Sequence, residues 1–145
     1  MTLAPRAPPP WNAAMTPTEL VRETYAAFGR GDLPAVLAAC AEDVDWRYCG
    51  PSAAPYTGEW RGRDGVRRFF ETLFAALRLT SFEPQRFFAD GDTVVVLGRE
   101  GGTVAATGRT VQYDWAHVFV VRDGRIAAFR EFADAAPIEA ALRGA

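Results

Sequence analysis

The sequence contains no lysine: all 16 of its cationic side chains are arginines. Schiff-base and pyridoxal chemistry need a lysine amine, so the sequence excludes both. The single histidine, His117, cannot build a multi-histidine metal site. Neither serine, Ser52 or Ser81, lies in a Gly-x-Ser-x-Gly elbow, and no Gly-x-Gly-x-x-Gly or P-loop motif occurs. We therefore expect neither a metal nor a cofactor.

Strong net charge and long apolar runs are also missing. The formal net charge is −2, so neither nucleic acid nor an anionic membrane is an expected partner. No apolar run approaches the roughly 20 residues of a membrane span. The two cysteines, Cys40 and Cys49, lie in unlike contexts, which predicts no disulfide framework and a cytoplasmic location.

Residues 1–14 differ in composition from the rest of the chain. They are rich in proline and alanine, and they lack the apolar segment of a secretory signal. We expect them to be a disordered leader. Residues 15–145 are then enough for one domain with a real core, and too few for two.

Helical patterns occupy four stretches. Residues 16–28 begin with a capping box and a proline at the first helical position. Residues 32–40 begin with a capping aspartate. Residues 66–77 have apolar side chains at i, i+3, i+4, i+7, i+8 and i+11, the strongest helical pattern in the chain. Residues 137–142 form a last, short helix.

The remaining patterns predict strands. Residues 44–49 alternate between apolar and polar side chains and are followed by a loop at 50–63. Further strands are expected near 81–89, 92–101, 103–107, 109–122 and 125–133, separated by glycine-containing pairs typical of hairpins. Helices followed by an antiparallel meander indicate an α+β fold. A long antiparallel sheet curls. We therefore expect a cone-shaped sheet packed with about three N-terminal helices, and a mostly apolar pocket enclosed between the sheet and the helices.

Five short segments resemble the NTF2-like superfamily and, within it, the SnoaL-like group. They are YAAFGRGD at 25–32, EDVDW at 42–46, YTGEWRGRDGV at 56–66, VRDGRI at 121–126 and FREFAD at 129–134. The resemblance covers roughly residues 16–143 and implies the cone-shaped α+β fold. It implies no single function, because the superfamily includes isomerases, cyclases, epoxide hydrolases, dehydratases and noncatalytic binding domains.

Two branches of the superfamily match poorly or in part. The catalytic positions of ketosteroid isomerases hold Tyr48, Thr24 and Ala116 here, so that mechanism is not expected. Limonene-epoxide-hydrolase-like enzymes use two acids and an arginine. Their acids fall at Glu131 and Glu100, but their arginine falls at Gly98.

The polyketide cyclases of the SnoaL type match better. They use a final-strand acid and a histidine 14 residues earlier, and Glu131 and His117 have that separation. The Asp123-Gly124 turn makes the two strands antiparallel neighbours, so we predict that the two side chains lie within about 6 Å and face an internal cavity. Such a pair can exchange protons near neutral pH. Glu100 is a further catalytic candidate.

These patterns lead to three functional hypotheses. The first is a cofactor-independent acid/base enzyme, cyclase- or isomerase-like, acting on a small hydrophobic carbonyl-bearing molecule. The second is a noncatalytic module that binds a hydrophobic ligand or supports assembly; the third is an epoxide-hydrolase-like enzyme. The expected pocket lining is aromatic: Tyr25, Trp46, Tyr48, Trp60, Trp115, Phe119 and Phe129. A homodimer through the outer sheet face is expected, because Arg130 and Phe132 combine charge with exposed aromatic surface there.

Overall fold

A computed structural model describes residues 15–144, which form four helices and one six-stranded sheet. The predicted leader, residues 1–14, lies outside the described residues. The elements are α1 (Pro17–Gly29), α2 (Leu33–Ala39), β1 (Cys40–Cys49), β2 (Gly58–Arg61), α3 (Gly62–Ala76), β3 (Leu77–Asp90), β4 (Thr93–Val104), β5 (Thr110–Arg122), β6 (Arg125–Ala133) and α4 (Ala135–Arg143). None of the helices in this part of the chain has the length and apolar character that a membrane crossing requires.

The sheet has the strand order β2-β1-β6-β5-β4-β3. Strands β1 and β6 are parallel, and every other pair is antiparallel. The sheet is curved and does not close, so β2 and β3 form its edges. This confirms the predicted α+β cone.

Helices α1 and α2 begin where the sequence predicts, whereas α3 begins at Gly62, inside the predicted loop, and α4 begins at Ala135 rather than at residue 137. Thr16 Oγ1 accepts a hydrogen bond from the Glu19 backbone N–H at 3.1 Å, which completes the capping box of α1. The Asp32 carboxylate caps α2 through the Ala35 N–H, also at 3.1 Å. Four residues of the predicted apolar stripe, Val66, Phe69, Phe70 and Leu73, are buried in α3, which packs on β1. Phe74 is exposed, and Leu77 is the first residue of β3. Local capping and periodicity therefore place the helical layer.

The predicted strand 92–101 and the first residues of the predicted strand 103–107 form one continuous strand, β4, which ends at Val104, and residues 105–107 lie in a turn. The expected break at Gly101 and Gly102 is wrong because these glycines permit a close approach of backbones rather than a turn. A Cβ at Gly102 would lie 2.4 Å from the carbonyl oxygen of Arg78 on β3. The chain turns later, at Gly108, which has φ of +71°. Part of the predicted loop at 50–63 also pairs with β1, as β2.

The helix-covered face of the sheet holds the core. Along β5, alternate side chains from Val111 to Val121 are buried. Along β6, Ile126, Phe129 and Glu131 are buried. The same alternation that builds the core therefore places polar side chains inside it.

Candidate functional site

His117 and Glu131 are directly opposite each other on the antiparallel strands β5 and β6. His117 Nε2 and Glu131 Oε1 are 2.9 Å apart. Their side chains are only 5% and 7% exposed. The turn at Asp123 and Gly124, both with positive φ, pairs Arg122 with Arg125. A β-bulge between Val120 and Val121 then shifts the pairing by one residue, which places Glu131 rather than Arg130 opposite His117. The structure thus brings together the two residues that the sequence places at the centre of the site.

Tyr25 of α1 extends this pair into a chain of three groups. Its hydroxyl lies 2.8 Å from His117 Nδ1. Burial lowers the pKa of His117 well below its usual value, so the ring is neutral. Burial also raises the pKa of Tyr25, so its hydroxyl stays protonated. When Glu131 is ionised, the Tyr25 O–H donates to Nδ1 and the Nε2–H donates to Glu131.

Glu100 of β4 is a second buried carboxyl near Glu131. Burial raises the pKa of Glu131 to about 8. Burial, followed by the charge of Glu131, raises the pKa of Glu100 well above its usual value. Two neighbouring carboxyls in an apolar site do not both ionise readily, so the pair retains at least one proton near neutral pH.

Two tyrosine hydroxyls border the carboxyl pair. Tyr113 lies opposite Glu100 in the β4–β5 register, and Tyr48 lies opposite Glu131 in the β1–β6 register. Tyr48 is close enough to lower the pKa of Glu131, although no hydrogen bond of standard geometry joins them. Glu131 Oε2 and both hydroxyls are buried without a hydrogen-bond partner among the described residues. Of these three groups only Glu131 lines the cavity described below, so its Oε2 is the unpaired acceptor that a polar ligand group can satisfy.

Aromatic packing fixes the histidine ring. The Trp115 ring stacks on His117 with centroids 3.7 Å apart and an interplanar angle of 13°. The Phe129 ring contacts the imidazole edge-on at 4.9 Å. Gly98, opposite Trp115, makes room for the indole, since a Cβ there would lie 2.3 Å from the ring. Gly98, at the position of the arginine in limonene-epoxide-hydrolase-like enzymes, thus supports the stacking of Trp115 on His117.

The polar cluster faces an internal cavity of about 50 Å³. The cavity is lined by Thr24, Tyr25, Phe28, Val36, Trp46, Phe69, Phe70, Leu73, Leu79, Phe82, Glu100, His117, Phe119, Phe129 and Glu131. A space of this size holds only a few waters. A larger substrate therefore needs the lining side chains to move.

The predicted pocket residues divide into two groups. Tyr25, Trp46, Phe119 and Phe129 line the cavity. Tyr48, Trp60 and Trp115 lie outside its lining. Tyr48 packs edge-on against Tyr56, and Trp60 donates its Nε1–H to the Tyr56 carbonyl oxygen. Trp115 stacks on the histidine instead.

Sequence reasoning missed Tyr113, which borders the carboxyl pair, and the lining residues Phe28 and Phe82. Tyr113 follows the same alternation as Trp115 and His117, so the strand period was a usable signal. Phe28 lies in the predicted stripe of α1, but its position beside the cavity depends on how α1 crosses the sheet. Phe82 lies at the start of a predicted strand and carried no comparable signal.

No group of three or more histidine, cysteine, aspartate or glutamate side chains within residues 15–144 is arranged to hold a metal ion. The acid and base groups of the polar cluster can transfer protons and form hydrogen bonds with a ligand atom.

Comparisons with known proteins agree with this architecture. The family model described as the SnoaL-like domain matches residues 21–129. An NTF2-like protein from Burkholderia pseudomallei K96243 is 32% identical, with 88% of this chain and 98% of that chain covered and a TM-score of 0.80. No curated protein matches the chain.

Two more distant structures show the same fold. TerC, co-crystallised with polyporic acid, is 24% identical, with 88% of this chain and 99% of that chain covered and a TM-score of 0.77. A candidate SnoaL-like polyketide cyclase from Jannaschia sp. CCS1 is 18% identical, with coverages of 89% and 92% and a TM-score of 0.76. At these identities the likeness concerns the fold alone.

Proposed function

The chain belongs to the SnoaL-like domain family of NTF2-like proteins, and on this premise we propose that it is a cofactor-independent acid/base enzyme. Its reaction is cyclase- or isomerase-like, on a small hydrophobic molecule that bears a carbonyl group. One observation supports this most directly: Glu131 Oε1 lies 2.9 Å from His117 Nε2, and both side chains face an apolar cavity.

Glu131 is the proposed general base. A carboxylate with a pKa of about 8 is a stronger base than an exposed one, and it is partly ionised near neutral pH. It takes a proton from a carbon next to the substrate carbonyl. His117 holds the carboxylate in position through its Nε2–H.

Glu100 is the proposed hydrogen-bond donor to the substrate oxygen. Its raised pKa keeps it protonated, so it can donate to the enolate oxygen that forms when the proton leaves. In an isomerisation, Glu131 returns the proton to a different carbon. In a cyclisation, the enolate carbon attacks a second carbonyl group of the same molecule, and the new alkoxide takes the proton that Glu131 removed, which restores the Glu131 carboxylate.

Two structural neighbours are consistent with such a ligand. TerC was crystallised with polyporic acid, and the Jannaschia protein is a candidate polyketide cyclase. The likeness of this chain to both lies in the fold, so they support the choice of ligand class and not a particular substrate.

The reaction can be tested before the substrate is known. Wild-type protein in D₂O, with a panel of neutral cyclic ketones and 1,3-diketones, is expected to accelerate deuterium exchange next to the carbonyl. Glu131→Gln should lower the rate by about 10²–10⁴-fold. Glu59→Gln, an exposed carboxylate on β2, is the matched control and should keep the rate. An unchanged exchange rate in Glu131→Gln would refute the proposed base.

A noncatalytic ligand-binding role is the second candidate. It is favoured by Thr24 and Ala116, which replace two catalytic groups of ketosteroid isomerases. The inner cavity of about 50 Å³ is far below the roughly 300–1,000 Å³ of typical ligand sites, so its lining would have to move for ligand binding as for catalysis. Tight ligand binding by wild type and Glu131→Gln alike, with no deuterium exchange in either, would favour this role.

Epoxide hydrolysis is the third candidate. The paired carboxyls Glu100 and Glu131 favour it. The expected arginine is replaced by Gly98, and the Trp115 ring lies against that glycine. Incubation of neutral epoxides in H₂¹⁸O tests it, since hydrolysis would place the label in a diol and binding alone would not.

A further inference from the structure

A second, larger space adjoins the inner cavity. It is an outer groove of about 520 Å³, lined by Tyr25, Phe28, Gly29, Gly31, Leu33, Phe74, Leu79, Thr80, Ser81, Phe82 and Pro84. Four of these residues also line the inner cavity: Tyr25, Phe28, Leu79 and Phe82. These four shared residues therefore form a partition between the two spaces.

Phe28 and Phe82 form most of this partition. Their ring centroids are 5.0 Å apart. Phe28 also contacts Phe70 at 5.7 Å and Phe74 at 6.2 Å. Both partition rings are partly buried, and Phe74 is 47% exposed. A rotation of these rings joins the groove to the cavity without moving the backbone of the sheet.

The charge of the two linings limits what enters. The chain has 16 arginines, yet among residues 15–144 none lines either space. The groove lining contains no charged side chain at all. An anionic group of a ligand in either space would lose hydration with no arginine in the lining to compensate, which is costly against apolar walls.

The groove offers a neutral ligand both apolar contacts and hydrogen-bonding groups. Phe28, Phe74 and Phe82 present aromatic rings. Thr80 and Ser81 present hydroxyls, which can donate to or accept from an uncharged oxygen. Apolar surface with few polar groups is the usual composition of a small-molecule site.

We propose that the outer groove binds the uncharged ring body of the substrate, and that Phe28 and Phe82 open to admit its carbonyl end to the inner cavity. The proposal rests on the proposed acid/base function for what happens at Glu131. The binding of a neutral ring compound in the groove does not depend on that function. A carboxylate, sulfonate or phosphate on the ring body is excluded.

Two fluorescent probes test the charge rule. N-phenyl-1-naphthylamine is neutral, and 8-anilinonaphthalene-1-sulfonate is the same ring system with one sulfonate. Wild-type protein should bind the neutral probe at least about tenfold more tightly, which corresponds to about 1.4 kcal/mol. Equal or tighter binding of the sulfonate would overturn the proposal.

A matched pair of phenylalanines tests the location. Phe74 in the groove is 47% exposed, and Phe88, which is absent from both linings, is 45% exposed. Phe74→Ala should weaken the neutral probe by about fivefold, and Phe88→Ala should leave it unchanged. The reverse result would place the probe elsewhere and overturn the assignment.

A gain of function tests the charge rule more directly. Thr80 is exposed in the groove lining, so Thr80→Arg is expected to fold and to supply the missing cation. It should tighten sulfonate binding by about fivefold. Thr110→Arg, at an exposed position that does not line the groove, is the control and should not. No gain with Thr80→Arg would contradict the charge argument.

Glu131→Gln distinguishes the two proposals. It should bind the neutral probe as wild type does while losing deuterium exchange. If Glu131→Gln binds the neutral probe and still catalyses deuterium exchange, the proposed role of Glu131 is refuted, whereas the groove proposal stands. If wild-type protein catalyses deuterium exchange but binds the neutral probe no more tightly than the sulfonate, the groove proposal is refuted and the acid/base function stands.

Discussion

The two faces of the sheet hold their charged groups in opposite ways. On the outer face, Arg47 lies 3.5 Å from Asp45 and 3.0 Å from Glu59, and all three side chains are at least 30% exposed. On the helix-covered face, Glu100 and Glu131 are buried, and no arginine within residues 15–144 pairs with either. Glu131 contacts a neutral histidine instead.

The difference shows what burial does to the same chemical group. A part-exposed carboxylate beside an arginine keeps its charge at little energetic cost, and such a pair contributes little to stability. A buried carboxyl without a cation keeps its proton instead. The outer face is therefore suited to solubility or subunit contacts, and the inner face to proton exchange.

The largest expected effect on stability is a difference between two phenylalanines of β6, one on each face of the sheet. Phe129 is 4% exposed and stacks on Trp46 with centroids 4.0 Å apart, whereas Phe132 is 46% exposed. Phe129→Ala should cost about 3–5 kcal/mol of unfolding free energy because it leaves a cavity. Phe132→Ala should change the free energy of the monomer by less than about 0.5 kcal/mol. Urea unfolding measures both, and equal costs would contradict the assignment of faces.

The next effect concerns the space that Gly98 leaves for Trp115. Gly98→Ala should destabilise the fold by about 1–3 kcal/mol, because the new methyl group overlaps the indole and the Glu83 carbonyl oxygen. Gly29→Ala is the control: nothing lies within 4 Å of a Cβ there, and alanine favours the helix by about 0.5–1 kcal/mol. Unfolding titrations that rank the two variants in the opposite order would refute this packing.

The pH dependence of stability reports the buried carboxyls. Their pKa values are raised on folding, so the folded state binds more protons and stability falls as the pH rises toward about 8. His117 has a lowered pKa, so its contribution makes stability rise with pH, but only below its unfolded value of 6.5.

Between pH 6.5 and 8, the unfolding free energy of the wild type should therefore fall by up to about 1.4 kcal/mol per pH unit for each extra proton that the folded state binds. Glu131→Gln should show a shallower slope, and Glu59→Gln the wild-type slope. Chemical unfolding at several pH values measures this. A wild-type stability that rises over that interval would contradict the raised pKa values.

The smallest effect on the fold itself concerns the outer face. We propose that two copies pair there, because Phe88, Leu97 and Phe132 are exposed large apolar side chains of the sheet. Light scattering at micromolar concentration should give the mass of a dimer for wild type and of a monomer for Phe132→Asp. A monomeric wild type would end the proposal.

The sequence by itself determined most of the elements and indicated the two residues of the central pair. The apolar spacing of α3, the capping box of α1 and the alternation of β5 and β6 are local patterns, and local sterics and hydrogen bonding enforce them. The Asp123-Gly124 turn makes β5 and β6 antiparallel neighbours, but its register alone would place Arg130 opposite His117. The β-bulge between Val120 and Val121, which no sequence pattern indicated, brings Glu131 there instead. The glycines of β4 misled the strand prediction because a glycine serves equally in a turn or under a close neighbour.

Only the tertiary structure decided the rest of the site. Glu100 approaches Glu131 from a strand that is not its neighbour in the sheet. Tyr25 reaches His117 from a helix 92 residues away. The volume of the inner cavity and its partition from the outer groove depend on how the Phe28 and Phe82 rings pack. These features depend on the curvature of the sheet and on contacts between distant segments, which no local period encodes.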